Sequence, residues 1–185
     1  MAKGKPVIYW DTSVLLAWIK GETRPDRQMD GVEDVAKSIM ANHCVMLTSV
    51  MTQTEVLESS LTPEASEKFK LLFQRRNCQM VSTDRRIATL ASELRNYYQK
   101  QKLIDELPSL SSPDATHLAT AIHFEVSEFQ TFDKRDDPKK RRGLLPLNGN
   151  VAGYNLLIRI PPIPALPPEP PNLLLFPDDP KYGSW

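Results

Sequence analysis

Apolar positions in this chain fall into short continuous runs separated by longer stretches with helical spacing. Val7-Ile8-Tyr9-Trp10 is four apolar residues in succession, the pattern of a strand buried on both faces. Cys44 to Leu47, Cys78 to Val81 and Glu128 to Phe132 read as three more strands, and Tyr154 to Ile160 as a fifth. The intervening segments repeat every three or four residues. Val14 to Lys20 is helix-compatible, and Asp30 is the expected N-cap of a helix carrying Val32, Val35, Ala36, Ile39 and Met40 and ending near Asn42. Further helices are expected from about Ser49 to Ser60 and from Pro63, with Ala65, Phe69, Leu72 and Phe73 on one face. Ser82 or Thr83 is placed to cap a long helix striped by Ile87, Leu90, Ala91, Leu94 and Tyr98. Ser112-Pro113 opens the last one, with Ala115, Leu118, Ala119 and Ile122 inward.

Strands alternating with helices predict an α/β fold around a parallel sheet. The pattern breaks after Ile160: nine of the 16 prolines lie between Pro161 and Pro180, which excludes helix and central strand and favours extended polyproline backbone. One domain over residues 1–160 and a Pro-rich tail over 161–185 are therefore expected, with Leu173-Leu174-Leu175-Phe176 apolar enough to dock on another surface.

Composition narrows the class. Apolar residues make up 41% and charged residues 25% of 185, values of an ordinary globular domain. Basic and acidic residues number 23 each, so any nucleic-acid surface must be a local patch rather than a coat. Asp11 interrupts the apolar run after the basic amino terminus, which does not suit a secretory signal, and no stretch approaches membrane-span length. A cytoplasmic protein without a membrane partner is expected, with Cys44 and Cys78 as reduced, buried residues outside any CxxC or Cys/His zinc pattern.

Four acidic residues stand out by position. Asp11 directly follows the first strand, Asp133 lies just past the fourth, Asp114 is in the first turn of the helix opened by Pro113, and Glu55 lies in the helix after the second strand. Parallel strands place their C-terminal ends along one edge, and ligands bind there where strand order reverses. Hard oxygen donors at such an edge suit Mg²⁺ or Mn²⁺, which keep several waters and take only a few carboxylates. Each residue alone also has a structural explanation. Asp11 can cap a helix, Asp114 can complement a helix macrodipole, and Asp133 can sit in a turn. Glu55 lies off the Val50, Thr54, Leu57, Leu61 stripe and reads as a solvated side chain, while Glu58 lies nearer that stripe and competes with it.

The ordered set resembles the PIN-domain family, including the VapC-type toxin ribonucleases of bacterial toxin–antitoxin pairs. The segments that carry it are Val7 to Leu16, Leu47-Thr48-Ser49 with Thr54-Glu55-Val56-Leu57, Pro113-Asp114-Ala115 with Leu118 to Ala121, and Gln130-Thr131-Phe132-Asp133. The resemblance spans about residues 7–160. It implies a three-layer α/β/α fold with a central parallel sheet in the order 3-2-1-4-5. It also implies Mg²⁺- or Mn²⁺-dependent RNA hydrolysis by Asp11, Glu55, Asp114 and Asp133. Asp11, Asp114, Asp133 and Asp136 are the implied metal ligands, and Thr12, Ser13 and Thr131 the hydroxyls that orient them. An antitoxin partner and a homodimer are implied too. The Pro-rich tail departs from the family pattern, so the resemblance is silent there.

Beyond Asp133 runs Lys134-Arg135-Asp136-Asp137-Pro138-Lys139-Lys140-Arg141-Arg142, six basic against two acidic residues. A solvated loop is one reading; a phosphate-binding strip of Lys134, Arg135, Lys139, Lys140, Arg141 and Arg142 is the other. His43, His117 and His123 lack HExxH spacing, and a helix turns His117 and His123 to different faces, so they read as core or surface residues. Two rivals to the toxin are an RNA-processing PIN nuclease outside any toxin pair and a catalytically silent PIN-like RNA-binding or scaffold protein. A haloacid-dehalogenase phosphatase is rejected, because Ser13 stands where its second aspartate belongs.

Overall fold

The computed structural model describes residues 4–134 and 142–165. Five parallel strands, β1 (Val7–Trp10), β2 (Val45–Ser49), β3 (Cys78–Val81), β4 (Glu128–Gln130) and β5 (Ile158–Arg159), form one sheet in the order β3-β2-β1-β4-β5. Among the described residues six α-helices complete it: α1 (Thr12–Lys20), α2 (Gln28–Met40), α3 (Val50–Glu58), α4 (Pro63–Phe73), α5 (Arg85–Asp105) and α6 (Ser112–His123).

The continuous apolar run of β1 serves two cores. Tyr9 packs with Leu47 and Phe129 against Ile87, Leu94 and Leu118 of α5 and α6. Ile8 and Trp10 face Val14, Leu15, Val32 and Leu72 from α1, α2 and α4. Side chains that alternate across a central strand thus fill both layers. Tyr9 and Trp10 have no exposed surface, and Tyr9 stacks on Phe129 with ring centroids 4.9 Å apart. Both cysteines are free and buried.

Several boundaries differ from the sequence reading. Helix α2 starts at Gln28 after a left-handed Arg27, so Asp30 lies in its first turn and binds Arg27 Nε at 2.6 Å instead of capping. Asp84, not Ser82 or Thr83, caps α5 by accepting from the N–H groups of Arg86 and Ile87, each at 2.9 Å. Strand β4 stops at Gln130 because the Phe132 N–H turns to Ser13 Oγ at 3.0 Å. The fifth strand shortens to two residues, and Tyr154 instead forms an antiparallel bridge with Val151.

Two glycines have a steric reason. Gly21 ends α1 in the left-handed conformation (φ 63°), which costs a residue without Cβ least. Gly31 of α2 lies under the first prolines of the tail, where a Cβ would meet the Pro161 carbonyl oxygen at 2.5 Å and that of Pro162 at 3.0 Å. The expected docking segment Leu173 to Phe176 lies outside the described residues. Among the described residues, no helix is long and apolar enough to cross a membrane.

The Gly31 contact is backbone against helix and cannot relax by a rotamer change. Gly31→Ala is expected to lower stability by about 1–3 kcal/mol, the usual cost of overpacking. Urea unfolding of the two proteins measures it, and an unchanged midpoint would remove the contact from the packing of α2.

Candidate active site

The strand order reverses between β1 and β4, and the site is built where these strands end. Asp11 continues β1, its N–H bonded to the Gln130 carbonyl at 3.0 Å. It holds the N-cap position of α1, yet its carboxylate makes no cap hydrogen bond. Instead Oδ2 accepts from Ser13 Oγ at 2.7 Å and Thr131 Oγ1 at 2.8 Å. The Thr131 hydroxyl also accepts from the Asp133 N–H at 3.0 Å, and so ties the chain after β4 to Asp11. The residue after a strand here spends its side chain on the sheet edge, not on the helix it precedes.

Glu55 is brought in by α3. The stripe assumed for this helix faces outward: Leu57 is 65% exposed and Val50 37%, while Thr52 and Val56 are buried. That rotation turns Glu55 inward and leaves Glu58 exposed. Glu55 Oε2 accepts from the Thr12 hydroxyl and lies 2.9 Å from His117 Nε2. Thr52 Oγ1 is 3.3 Å from Thr12 Oγ1 and 2.6 Å from Thr48 Oγ1, whose hydroxyl donates to the Trp10 carbonyl at 2.9 Å.

Asp114 arrives on α6. Ser111 caps this helix by accepting from the Asp114 N–H at 3.1 Å, and its own hydroxyl donates to Asp114 Oδ2 at 2.6 Å. Asp114 therefore serves the helix start and the site together. Burial raises its pKa above the usual carboxylate value; the Ser111 hydrogen bond opposes this, and the negative charge of Asp11 and Glu55 adds to it. That mutual repulsion places Asp11, Glu55 and Asp114 in one electrostatic neighbourhood.

His117 is the member that sequence reasoning missed. It lies one turn beyond Asp114 on the same face of α6, only 1% exposed, with Nδ1 2.7 Å from the Tyr9 hydroxyl and Nε2 4.0 Å from Asp11 Oδ1. Its spacing to Asp114 was the available signal; the comparison with His123 concealed it. Desolvation opposes its protonation, but the Glu55 hydrogen bond and the charges of Asp11, Glu55 and Asp114 outweigh that and raise its pKa. Burial works against ionisation of Glu55 in the same way, and hydrogen bonds from His117 and Thr12 reverse the balance and lower its pKa.

A pattern recurs among these carboxylates. In Asp11, Glu55 and Asp114 the named hydrogen bonds all reach one oxygen (Oδ2, Oε2 and Oδ2), leaving the other without a hydrogen bond among the described residues, with Asp11 Oδ1 4.0 Å from His117 Nε2. Excess negative charge with one spare oxygen on each group is a donor set that suits a hard divalent cation retaining most of its waters. Among the described residues, no three or more His, Cys, Asp or Glu side chains are gathered into a group that could by itself hold a metal ion.

The basic segment divides. Lys134 is exposed beside Asp133, while Arg135, Asp136, Lys139, Lys140 and Arg141 lie outside the described residues. Arg142 departs from the phosphate-binding expectation. It is 5% exposed, pairs with Asp105 at 2.8 Å, donates to the Pro108 carbonyl at 3.1 Å and lies over the Tyr98 ring. Its charge is consumed in holding the chain to the end of α5.

The PIN domain family model matches residues 8–141. This chain belongs to the PIN domain family. A search of curated proteins finds no match. Among solved structures, it is similar to a chain from the crystal structure of VapBC2 from Rickettsia felis bound to a DNA fragment from their promoter, with a TM-score of 0.52 at 14% identity. The match covers 82% of this PIN protein and 96% of that chain, a likeness of fold.

Stability without metal should report the charge cluster. A histidine whose folded pKa is raised contributes stability in full below its unfolded value, and loses it as pH rises through the folded value. The His117 contribution should therefore be complete below the ordinary imidazole value of 6.5 and fade above it. Asp114, raised first by burial and then by the same negative neighbours, is a burden once ionised. Asp114→Asn is expected to raise the melting temperature in EDTA at neutral pH; a large fall would make Asp114 a structural cap alone.

Proposed function

We propose that this PIN protein is a metal-dependent ribonuclease that hydrolyses RNA phosphodiester bonds, with Mg²⁺ or Mn²⁺ as its cation. The observation that carries the reading is the convergence of Asp11, Glu55 and Asp114, each with one oxygen restrained and one spare, at the β1–β4 reversal. Structural caps would direct these oxygens at helix amides, and Asp11 does not do so.

Asp11, Asp114 and Asp133 would hold the cation, with Asp136 as a further donor. When bound, the cation supplies a water of lowered pKa and neutralises charge on the phosphate. Thr131 and Ser13 keep Asp11 from turning toward the α1 amides. Glu55, kept ionised by His117 and Thr12, offers Oε1 to orient the attacking water and accept its proton. Lys134, Arg135, Lys139, Lys140 and Arg141 would contact phosphates along the substrate; Arg142 is not part of that strip.

Toxin activity restrained by a small antitoxin protein is the finer reading, supported by the similarity to a chain of the VapBC2 structure. A homodimer belongs to the same reading. An RNA-processing role outside such a pair uses the same site, and a genomic neighbour encoding a small antitoxin separates the two.

Incubation with total RNA and Mn²⁺ should yield fragments with 5′-phosphate and 3′-hydroxyl ends, and EDTA or Asp11→Asn should reduce cleavage to background. Cleavage by the Asn variant, or by EDTA-treated wild type, at the rate of untreated wild type with Mn²⁺ would refute the mechanism. Neutralising Lys139, Lys140 and Arg141 is expected to flatten the salt dependence of RNA binding by about 0.7–0.9 in log–log slope per lost phosphate contact. An unchanged slope assigns them to a solvated loop.

A further inference from the structure

We propose that His117 is a positioning residue for Glu55, and that the Tyr9 hydroxyl supports the imidazole tautomer this task requires; the inference rests on the nuclease reading of the same site. The three residues form a continuous chain from the buried sheet to the partly exposed Glu55. Tyr9 is fully enclosed on β1, its hydroxyl 2.7 Å from His117 Nδ1, and His117 Nε2 lies 2.9 Å from Glu55 Oε2. Each link comes from a different element, β1, α6 and α3, so the chain also fixes how these elements meet.

The direction of the hydrogen bonds follows from chemistry. Glu55 is ionised and can only accept, so Nε2 must carry a proton. In the neutral ring Nδ1 is then bare and accepts from the Tyr9 O–H. A phenol buried among Leu47, Phe129 and Leu118 is hard to ionise, and its pKa is raised well above the ordinary value, first by burial and then by the Asp11 charge. It therefore keeps the proton it donates. A carboxylate of this exposure on a nine-residue helix has several rotamers open to it; Thr12 and His117 both bind Oε2 and leave one. Oε1 makes no hydrogen bond among the described residues, on a side chain that is 30% exposed.

The arrangement serves a functional atom rather than the core. An apolar residue would fill the same space between α3 and α6 without bringing a buried N–H to a carboxylate that could reach solvent, since the Glu55 side chain is 30% exposed. Groups that orient a reacting or ligating side chain from behind typically matter by about 10–100-fold.

Three variants test the idea. His117→Leu keeps bulk and removes the donor, His117→Gln places an amide N–H near the Nε2 position, and Tyr9→Phe removes only the phenol hydroxyl. With Mn²⁺ and a defined RNA, His117→Leu is expected to lower kcat by about 10–100-fold with KM little changed. His117→Gln should recover most of the loss, and Tyr9→Phe should fall between. In metal-free, RNA-free protein, ¹⁵N NMR of the neutral His117 ring should show the Nε2–H tautomer in wild type and a mixture in Tyr9→Phe. Equal loss in the Leu and Gln variants with unchanged melting curves, a change confined to KM, or an Nδ1–H tautomer in wild type would each overturn the proposal. Wild-type protein that cleaves no RNA would overturn the nuclease reading, and with it a role for His117 in cleavage. An active wild type with an Nδ1–H ring overturns the positioning role alone.

Discussion

Like charges brought together in partial burial repel one another, and at this sheet edge the molecule holds three carboxylates against that repulsion. Every nearby element carries something that restrains them. Hydroxyls from Ser13, Thr131, Thr12 and Ser111 bind one oxygen of each carboxylate, and the His117 imidazole can contribute positive charge. The opposed pKa shifts of Asp114 and Glu55 show how unevenly this is shared. Asp114 relies on a hydroxyl and carries the excess; Glu55 has the imidazole and stays ionised easily. Packing alone gives little reason to keep three acids at the point of strand reversal, and a bound cation, as proposed, would relieve their crowding.

Much of this was legible before any coordinates. The four-residue apolar run ending in an aspartate specified a central parallel strand with a carboxylate at its C-terminal end, because period-two burial on both faces leaves little else for such a run to be. Asp114 was legible as a helix-start residue from Ser111, Pro113 and its own position, and it retains that role. The family resemblance extended the reading to the strand order and to Glu55.

What failed did so for identifiable reasons. The wheel of α3 was phased on Val50 and Leu57, which are apolar but exposed, whereas the inward face carries Thr52 beside Val56. A helix that lines a polar site inverts the usual rule, so hydrophobic periodicity points the wrong way at the candidate site. His117 was hidden by the same logic. A histidine between alanines and leucines on an inward face looks like core until the Tyr9 hydroxyl and Glu55 are seen on either side of it. Arg142 was read as part of a charge run, yet charge in sequence carries no information about which member a distant Asp105 will claim.

The outer strand β5 has a bearing on solubility. It contributes only Ile158 and Arg159, and it is tied to β4 from both sides of the chain: the Phe129 and Thr131 amides donate to the Leu157 and Arg159 carbonyls, and Arg159 pairs with the nearly buried Glu128. Beyond it the backbone turns away into prolines that settle on Gly31. A sheet margin this brief, followed by residues lacking amide protons, gives an extended foreign peptide almost nothing to align with. On this flank the molecule discourages unwanted strand addition by shortening its own border.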